Sequence, residues 1–427
     1  MTLFILIALM ILGVPLAIVM GLGGLYYLFD LGNPAFLRIM PQMMVSGVYK
    51  FPLMAIPFFV MAGIIMSRAK ITDGIVKFAQ LIIGSVRGGL AYVDIMANML
   101  LAGVSGSAVA DAAAIGPILI PAMEKDGYPK LFATAITASA AIMGPIIPPS
   151  LIAIIYASTI SGVSVAALFA AGILPGVLIA LSLCMVVFIM ARRQNFPISR
   201  SAKVTFKLFC AVMVEALPSL MMPGIILGGI LGGIFTATEA GAVAIIYSVF
   251  VVVFKDHNLT WKDIPDIMMD TATITAVVYL LIGTSMLLQW VIGKEHVAEM
   301  ITQYLSGITD SRMIMLTIIA VVVLFIGMVL DTSPAILIFA PLLMPIANSV
   351  GIDPLHLAMI IIIGLAAGLV TPPVGMCLFV CSSVANVKFN DLCGALWPFL
   401  IAIFAAFAVV VYIPSFSTII PQMLGYV

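Results

Sequence analysis

Stretches with no charged residue recur along the chain near residues 3–29, 51–67, 163–190, 217–234, 240–254, 273–292 and 396–414. A helix needs about 20 mostly apolar residues to cross a bilayer, so these runs predict membrane-spanning helices. The run at 89–123 reads differently. It is broken near its centre by "GVSGS", which leaves two halves of about 15 residues, each too short to cross. Basic residues then set the sides. Residues 68–88 carry Arg68, Lys70, Lys77 and Arg87 against Asp73, and residues 191–214 carry Arg192, Arg193, Arg200, Lys203 and Lys207 with no acid. Both segments are expected on the cytoplasmic side. With Arg87 before the 89–123 run and Lys125 and Lys130 after it, the run must enter and leave on one side, as a re-entrant hairpin. Bent backbone at that depth has to be buried in protein or line a cavity.

The pattern repeats. At a fixed offset of 224, Gly103, Pro117, Pro121, Gly127, Gly144, Pro148 and Pro149 match Gly327, Pro341, Pro345, Gly351, Gly368, Pro372 and Pro373. From composition, roughly half a Gly or Pro match is expected over this window, and seven occur. Internal symmetry of this kind marks transporters built from repeats. Around the second copy, 291–312 sets Lys294 and Arg312 against Glu295, Glu299 and Asp310, and "NSVGIDPLH" has no Lys or Arg. The basic bias is gone, which predicts an inverted second repeat. The flanks share an apolar spacing, Ile71, Ile75, Phe78, Ile82 and Val297, Ile301, Tyr304, Ile308. That one-sided stripe predicts short amphipathic helices along each membrane face.

Proline pairs inside apolar segments, in "GPIIPPS" and "TPPVG", remove backbone donors and push the preceding residue out of the helical region. They predict two broken helices at Pro148, Pro149 and Pro372, Pro373, each facing a hairpin tip. Carbonyls exposed at a break attract cations, and the following helix N-terminus favours anions. The tips offer Ser105 and Ser107, then Asp331, Thr332 and Ser333, with Thr371 before the second proline pair. Ser333 before Pro334 and Thr371 before Pro372 have the form of N-caps; helix capping alone is the competing reading. Hydroxyl and carbonyl oxygens suit a hard monovalent cation such as sodium.

Composition narrows the class. The 427 residues are 64% hydrophobic and only 8% charged, against about 25% charged for a soluble domain. The chain therefore reads as an all-α polytopic membrane protein. The formal net charge is zero, so nothing points to nucleic acid. The first segment lacks a basic start and is too long for a signal-peptide core, which predicts a retained helix. Cys184, Cys210, Cys377, Cys381 and Cys393 lie scattered in apolar runs as small hydrophobes. Asp111 and Asp331 are acids near the bilayer core and functional candidates by default, although Asp111 could equally be a structural group. Thr236 and Glu239 form a capping-box pattern, and Glu215 is expected at an interface. His257, His296 and His356 fall in predicted loops or segment ends and are expected to be solvated. No P-loop, no nucleophile–base constellation and no proton-relay chain appear, so an enzyme and direct use of ATP are not expected. Sodium is preferred to protons as the coupling ion.

The segments "SGSAVADAAAIGPILIPAM", "DGYPKLFATAITASAAIMGPIIPPSLIAIIYA", "LFAAGILPG" and "LVTPPVG" resemble the large membrane subunit of tripartite ATP-independent periplasmic (TRAP) transporters, over nearly the whole chain. The resemblance implies a fold of the ion-transporter superfamily, with a scaffold and an elevator-type transport domain. It implies residues 1–47 as an N-terminal transmembrane helix and connector, and 48–200 as repeat 1 (arm 68–88, hairpin 89–123, broken helix 131–160, helix 163–190). Residues 201–270 would be central scaffold helices and linker. Residues 271–427 would be repeat 2 (helix 273–292, arm 294–310, hairpin 313–349, broken helix 355–386, C-terminal helix). By the family pattern, two or more sodium sites are expected. Ser105, Ser107, Gly144 and Pro145 would form one; Ser333, Gly368 and Thr371, with Asp331 or Thr332 close, would form the other. Ser105, Gly106, Ser107 and Ser150 would touch substrate. The implied partners are a separate four-helix small membrane subunit and a soluble periplasmic binding protein, in a bacterial inner membrane. The implied activity is sodium-driven uptake of an organic acid, and the "GSAVAD" wording leans to sialic or another sugar acid over C4-dicarboxylates. A stand-alone sodium- or proton-coupled carboxylate symporter is the alternative.

Overall fold

The computed structural model describes residues 6, 8–10, 12–32, 34–68, 71–198, 205–253, 260, 262–309 and 311–426. Lys70, Arg200, Lys203, His257 and Asp310, and the side chains of Ile71 and Ile308, lie outside the described residues. Among the described residues the structure is helical throughout, with a lone Arg87–Ile198 bridge as the extended contact.

The N-terminal part holds α1 (Leu16–Asp30), α2 (Pro34–Val48), a 3₁₀ turn (Phe51–Met54), α3 (Ala55–Arg68) and α4 (Ile71–Ile83). Next come α5 (Gly89–Ser105), α6 (Ala108–Lys125), α7 (Lys130–Ala141), α8 (Leu151–Thr159) and α9 (Val165–Arg193). The centre is α10 (Phe206–Leu231), α11 (Ala237–Val251) and α12 (Ile264–Lys294). The second half follows the first in pattern: α13 (Val297–Ile308), α14 (Arg312–Gly327), α15 (Thr332–Ser349), α16 (Pro354–Gly368) and α17 (Met376–Ala385). The chain closes with α18 (Phe389–Tyr412) and α19 (Ser415–Met423). Among the described residues, six helical segments are long and apolar enough to cross a membrane: Phe51–Arg68, Val165–Arg193, Phe206–Leu231, Ile264–Lys294, Thr332–Ser349 and Phe389–Tyr412.

Packing sorts the helices into two groups. Helices α1, α2 and α3 lie against α12, α11 lies against α3, and α10 joins α11 to α4. In the other group α5 to α9 pack with α14 to α19. The two halves interlock there: α6 packs on α17, and α15 packs on α8. Lipid gives no hydrophobic drive for helix association, so close approach of small residues has to hold such a core. Helix α7 meets that need with Ala133, Ala135, Ala138, Ala140 and Ala141, all fully buried. Between the groups, Lys50 Nζ donates to the Ser158 carbonyl at 2.6 Å and Gln289 Nε2 to the Leu337 carbonyl at 2.9 Å. Large apolar side chains such as Phe206, Ile246 and Trp397 stand exposed, the surface a hydrocarbon solvent requires.

Several expectations need correction. The span at 3–29 is not one helix: Gly13 takes φ +75 and Pro15, which has no N–H to give, precedes α1. The connector after it is helical, as α2. The 217–234 and 273–292 spans extend back to Phe206 and Ile264, because their polar first turns continue the helix outside the apolar run. Helices do form over both amphipathic stripes, as α4 and α13, with part of each stripe exposed. Ile82 is 49% exposed and Tyr304 72% exposed, while Ile75, Val76 and Ala79 form the buried face of α4. Helix α4 lies between α5 and α10.

His356 is also not solvated. It is fully buried, because α18 and α19 fold over the start of α16. Its Nε2–H donates to the Val411 carbonyl at 3.2 Å, so Nδ1 accepts from Ser417 Oγ at 3.2 Å. Replacing His356 with Leu strands both partners and is expected to destabilise the protein by about 2–3 kcal/mol, read as a lowered unfolding temperature in detergent. His296 is exposed as expected. The Thr236–Glu239 capping box is complete, and Glu215 pairs with Lys77 at 2.5 Å between α10 and α4.

Candidate ion and substrate site

The first site is built where the α5–α6 hairpin turns. Helix α5 ends at Ser105, Gly106 takes a left-handed turn at φ +62, and α6 starts behind Ser107. The Ser107 hydroxyl caps α6 by accepting from Ala110 N–H at 3.5 Å. Ser105 Oγ donates to Asp111 Oδ1 and accepts from the Ser107 amide at 3.2 Å. Asp111 is fully buried, and its Oδ2 has no hydrogen-bond partner.

The facing element is the break between α7 and α8. It spans Ile142–Ser150 and contains both prolines of the first pair, joined by a cis bond. Ser150 ends the break as the N-cap of α8: its Oγ accepts from Ala153 N–H at 3.2 Å and donates to the Pro145 carbonyl at 2.6 Å. Tip and break touch at two glycines. A Cβ on Gly106 would sit 2.9 Å from the Pro149 carbonyl oxygen and 3.1 Å from Leu151 N. A Cβ on Gly144 would sit 2.7 Å from Asp111 Oδ2 and 2.8 Å from Ala108 N. Ser105, Gly106, Ser107, Gly144, Pro145 and Ser150 are therefore brought together, with Asp111 among them. The N-termini of α6 and α8 meet here, alongside the carbonyl ends of α5 and α7. The local field thus suits an anion and a cation side by side.

The second site has the same plan with different caps. The α14–α15 hairpin turns at Met328–Asp331, and the break between α16 and α17 contains the other cis proline pair. The expected Ser333 cap is not formed. Asp331 caps α15 instead, its Oδ1 accepting from Thr332 N–H at 2.7 Å, which places Ser333 in the first turn. Thr371 is not a cap either. Its hydroxyl donates back to the Ala367 carbonyl at 2.7 Å, and Gly375, at φ +59, precedes α17. A carboxylate placed earlier in the chain outcompetes the serine for the free amides, and the second break runs on past Thr371 before helix resumes. Gly368 meets Gly327 backbone to backbone, where an added Cβ would lie 2.2 Å from Gly327 C. Helix α17, which follows the second break, packs on α6 and α7 of the first half-site, so the two half-sites are neighbours.

A cavity of about 270 Å³ opens beside the first tip. Ser105 and Ser107 line it from the tip, Leu151 from α8, and Ser67, Thr72 and Ile274 from α3, α4 and α12. Among the described residues its wall holds no Lys or Arg. Ser150 is buried behind Leu151 and occupied as a cap.

Residues 3–416 match the family described as tripartite ATP-independent periplasmic transporter, DctM component. The chain belongs to the DctM family. It is thus a permease subunit, a transporter rather than an enzyme, and a multi-pass protein of the inner membrane. Large TRAP subunits work with a small membrane subunit and a periplasmic binding protein. The chain is similar to the uncharacterized protein YgiK of Salmonella typhimurium, 40% identical with 96% of this chain and 94% of that one covered. It is 37% identical to the 2,3-diketo-L-gulonate TRAP transporter large permease protein YiaN of Escherichia coli (95% and 94% covered). It is 36% identical to the sialic acid TRAP transporter large permease protein SiaM of Vibrio cholerae (93% and 92% covered). Among solved structures, the Alcanivorax borkumensis YdaH transporter shares the fold at TM-score 0.62 and 16% identity, with 89% of this chain and 88% of that one covered.

Sequence reasoning missed one polar group inside the DctM fold. Asp94, Asn98 and Thr137 are all fully buried between α5 and α7. An acid four residues before an asparagine in an apolar run was the available signal.

Proposed function

We propose that this DctM-family chain carries out sodium-coupled uptake of an organic acid, with a separate small membrane subunit and a soluble binding protein as partners. The hairpins act as re-entrant elements of a transport body, α5–α9 with α14–α19, which moves as an elevator against a scaffold of α1–α3 and α10–α12. One observation carries this reading: the first tip and the first break approach each other through Gly106 and Gly144, leaving the Asp111 carboxylate, serine oxygens and chain carbonyls in one buried place. Such a set suits sodium, which takes hard oxygen ligands. Ser105, Ser107, Gly144 and Pro145 with Asp111 would hold one ion; Asp331, Thr332, Ser333, Gly368 and Thr371 would hold another. Ions bound there supply the positive charge that the cavity wall lacks, so the acid binds well only after sodium. Ser105, Gly106, Ser107 and Ser150 would meet the carboxylate, Ser150 after giving up its bond to Pro145.

A sugar acid is the preferred substrate class, supported by the names of the YiaN and SiaM relatives. The test is uptake of a labelled acid into proteoliposomes containing both membrane subunits, with and without binding protein. Uptake should collapse without a sodium gradient. Ser107→Ala and Ser333→Ala should each raise the sodium needed for half-maximal uptake about tenfold, or roughly 1.4 kcal/mol. A normal sodium response in both variants refutes the site. Full uptake without binding protein would instead favour a stand-alone symporter.

A further inference from the structure

The Asp94 cluster lies outside the sodium sites and plays no part in the function proposed above. Asp94 sits five residues into α5 and Thr137 seven into α7, so each lies about 8–10 Å along its helix. Four close polar contacts join the group. Asn98 Nδ2 donates to the Asp94 carbonyl at 2.9 Å and to Asp94 Oδ1 at 3.0 Å. Thr137 Oγ1 lies 2.7 Å from Asp94 Oδ2 and 2.9 Å from the Ala133 carbonyl oxygen.

Four full-strength contacts take four protons, and Asn98 and Thr137 supply three. The two amide protons of Asn98 serve two contacts. The single hydroxyl proton of Thr137 could serve both of its own only as a shared, weakened three-centre bond, and a carbonyl only accepts. The fourth proton belongs on Asp94 Oδ2. The acid then donates to Thr137, and Thr137 donates to Ala133. Asn98 Oδ1 is likewise buried and meets no donor.

The surroundings agree. Thr137 and Asn98 are the groups bonded to the carboxyl, which in turn acts on the buried thiol of Cys381 from α17; among the described residues no Lys, Arg or His forms an ion pair with it. The titratable groups at the base of the same helices, Cys184 and Arg192 of α9 and Tyr128, act on Tyr92 instead. Nor does the repeat itself demand polarity here. At the 224 offset the second copy places Ile318, Val322 and Ile361, and Ile361 is buried as Thr137 is.

We propose that Asp94 is a proton-binding site, the acid-borne proton joining the first arm of the hairpin to the first half of the broken helix. Loss of that proton leaves a buried carboxylate with no counter-charge and one proton too few for the Thr137 contacts, which loosens α5 from α7. Those helices carry Ser105 and lead into Gly144, so uptake becomes pH-dependent through a residue that touches neither sodium nor substrate.

The first test is infrared spectroscopy of the full protein in lipid nanodiscs, independent of any transport reading. The wild type should show a neutral-carboxyl stretch that Asp94→Asn lacks and that disappears on alkaline titration. Thr137→Val, which keeps the shape but removes the acceptor, should shift that band, and it serves as the readout should Asp94→Asn fail to fold. The second test is sodium-driven uptake across the same pH range. Wild-type uptake should fall about tenfold per pH unit above the midpoint of the band's loss, whereas Asp94→Asn, permanently neutral and able to donate to Thr137, should not fall there. No band lost in Asp94→Asn, no shift in Thr137→Val, or the same pH profile in wild type and Asp94→Asn overturns the proposal.

Discussion

Gly144→Ala is expected to reduce sodium-driven uptake by about a hundredfold or more while leaving a folded protein. The new methyl would lie 2.7 Å from Asp111 Oδ2, 2.7 Å from Ser107 C and 2.8 Å from Ala108 N. Two of these are backbone atoms at the hairpin turn, not the far end of a flexible chain, so the tip itself has to move away. A displacement approaching 1 Å at a site that relies on preset geometry costs about a hundredfold. Gly144 lies past the end of α7, inside the break, so lost activity would not reflect a weakened helix. Gly394→Ala in α18 is the control: nothing lies within 4 Å of its added Cβ, and uptake should be unchanged. Parallel measurement of uptake and of yield after size-exclusion chromatography checks both variants. Normal uptake in Gly144→Ala would mean that tip and break need not meet.

The second large effect is expected at Asp111. Its Oδ1 accepts from Ser105, but Oδ2 is buried, has no partner and points at Gly144. A buried carboxylate oxygen left unmatched is costly, and a cation at the tip–break contact would match it. Asp111→Asn keeps the shape and the bond from Ser105 but removes the charge. The sodium requirement for half-maximal uptake should rise at least about tenfold, with the apparent Tm in sodium-free buffer little changed. Sodium should also stabilise the wild type against heat more than it stabilises the variant, because only bound ligand shifts folding. Equal sodium stabilisation in both would assign Asp111 to a structural role and leave the serines and carbonyls as the ligands.

Much of this was legible before any coordinates. Both proline pairs lie in helix interruptions, because two adjacent residues without N–H remove successive rungs of the helical ladder, whereas single prolines such as Pro117, Pro121, Pro341 and Pro345 stay inside α6 and α15. The turn at "GVSGS" follows from the lengths of its two arms, and the Thr236–Glu239 capping box from a three-residue spacing. Local rules failed where two elements competed. Ser333 and Thr371 have the form of N-caps, yet Asp331 captures the Thr332 amide at the start of α15 and Thr371 bonds back to Ala367. His356 looked like a loop residue until α19 closed over it. The outward stripe on the arms was legible as amphipathic, but which side met protein depended on α10 and α15.

The sequence by itself determined the membrane class, the two-fold repeat and the four places where helix must stop, because these follow from composition, from Gly and Pro positions and from the length needed to cross a bilayer. Only the tertiary structure decided which atoms meet. The partners at each contact are far apart in the chain: Asp111 and Gly144 lie 33 residues apart and Asp94 and Thr137 lie 43 apart. Such pairs are set by how helices pack, through small residues that carry no mark of their partner.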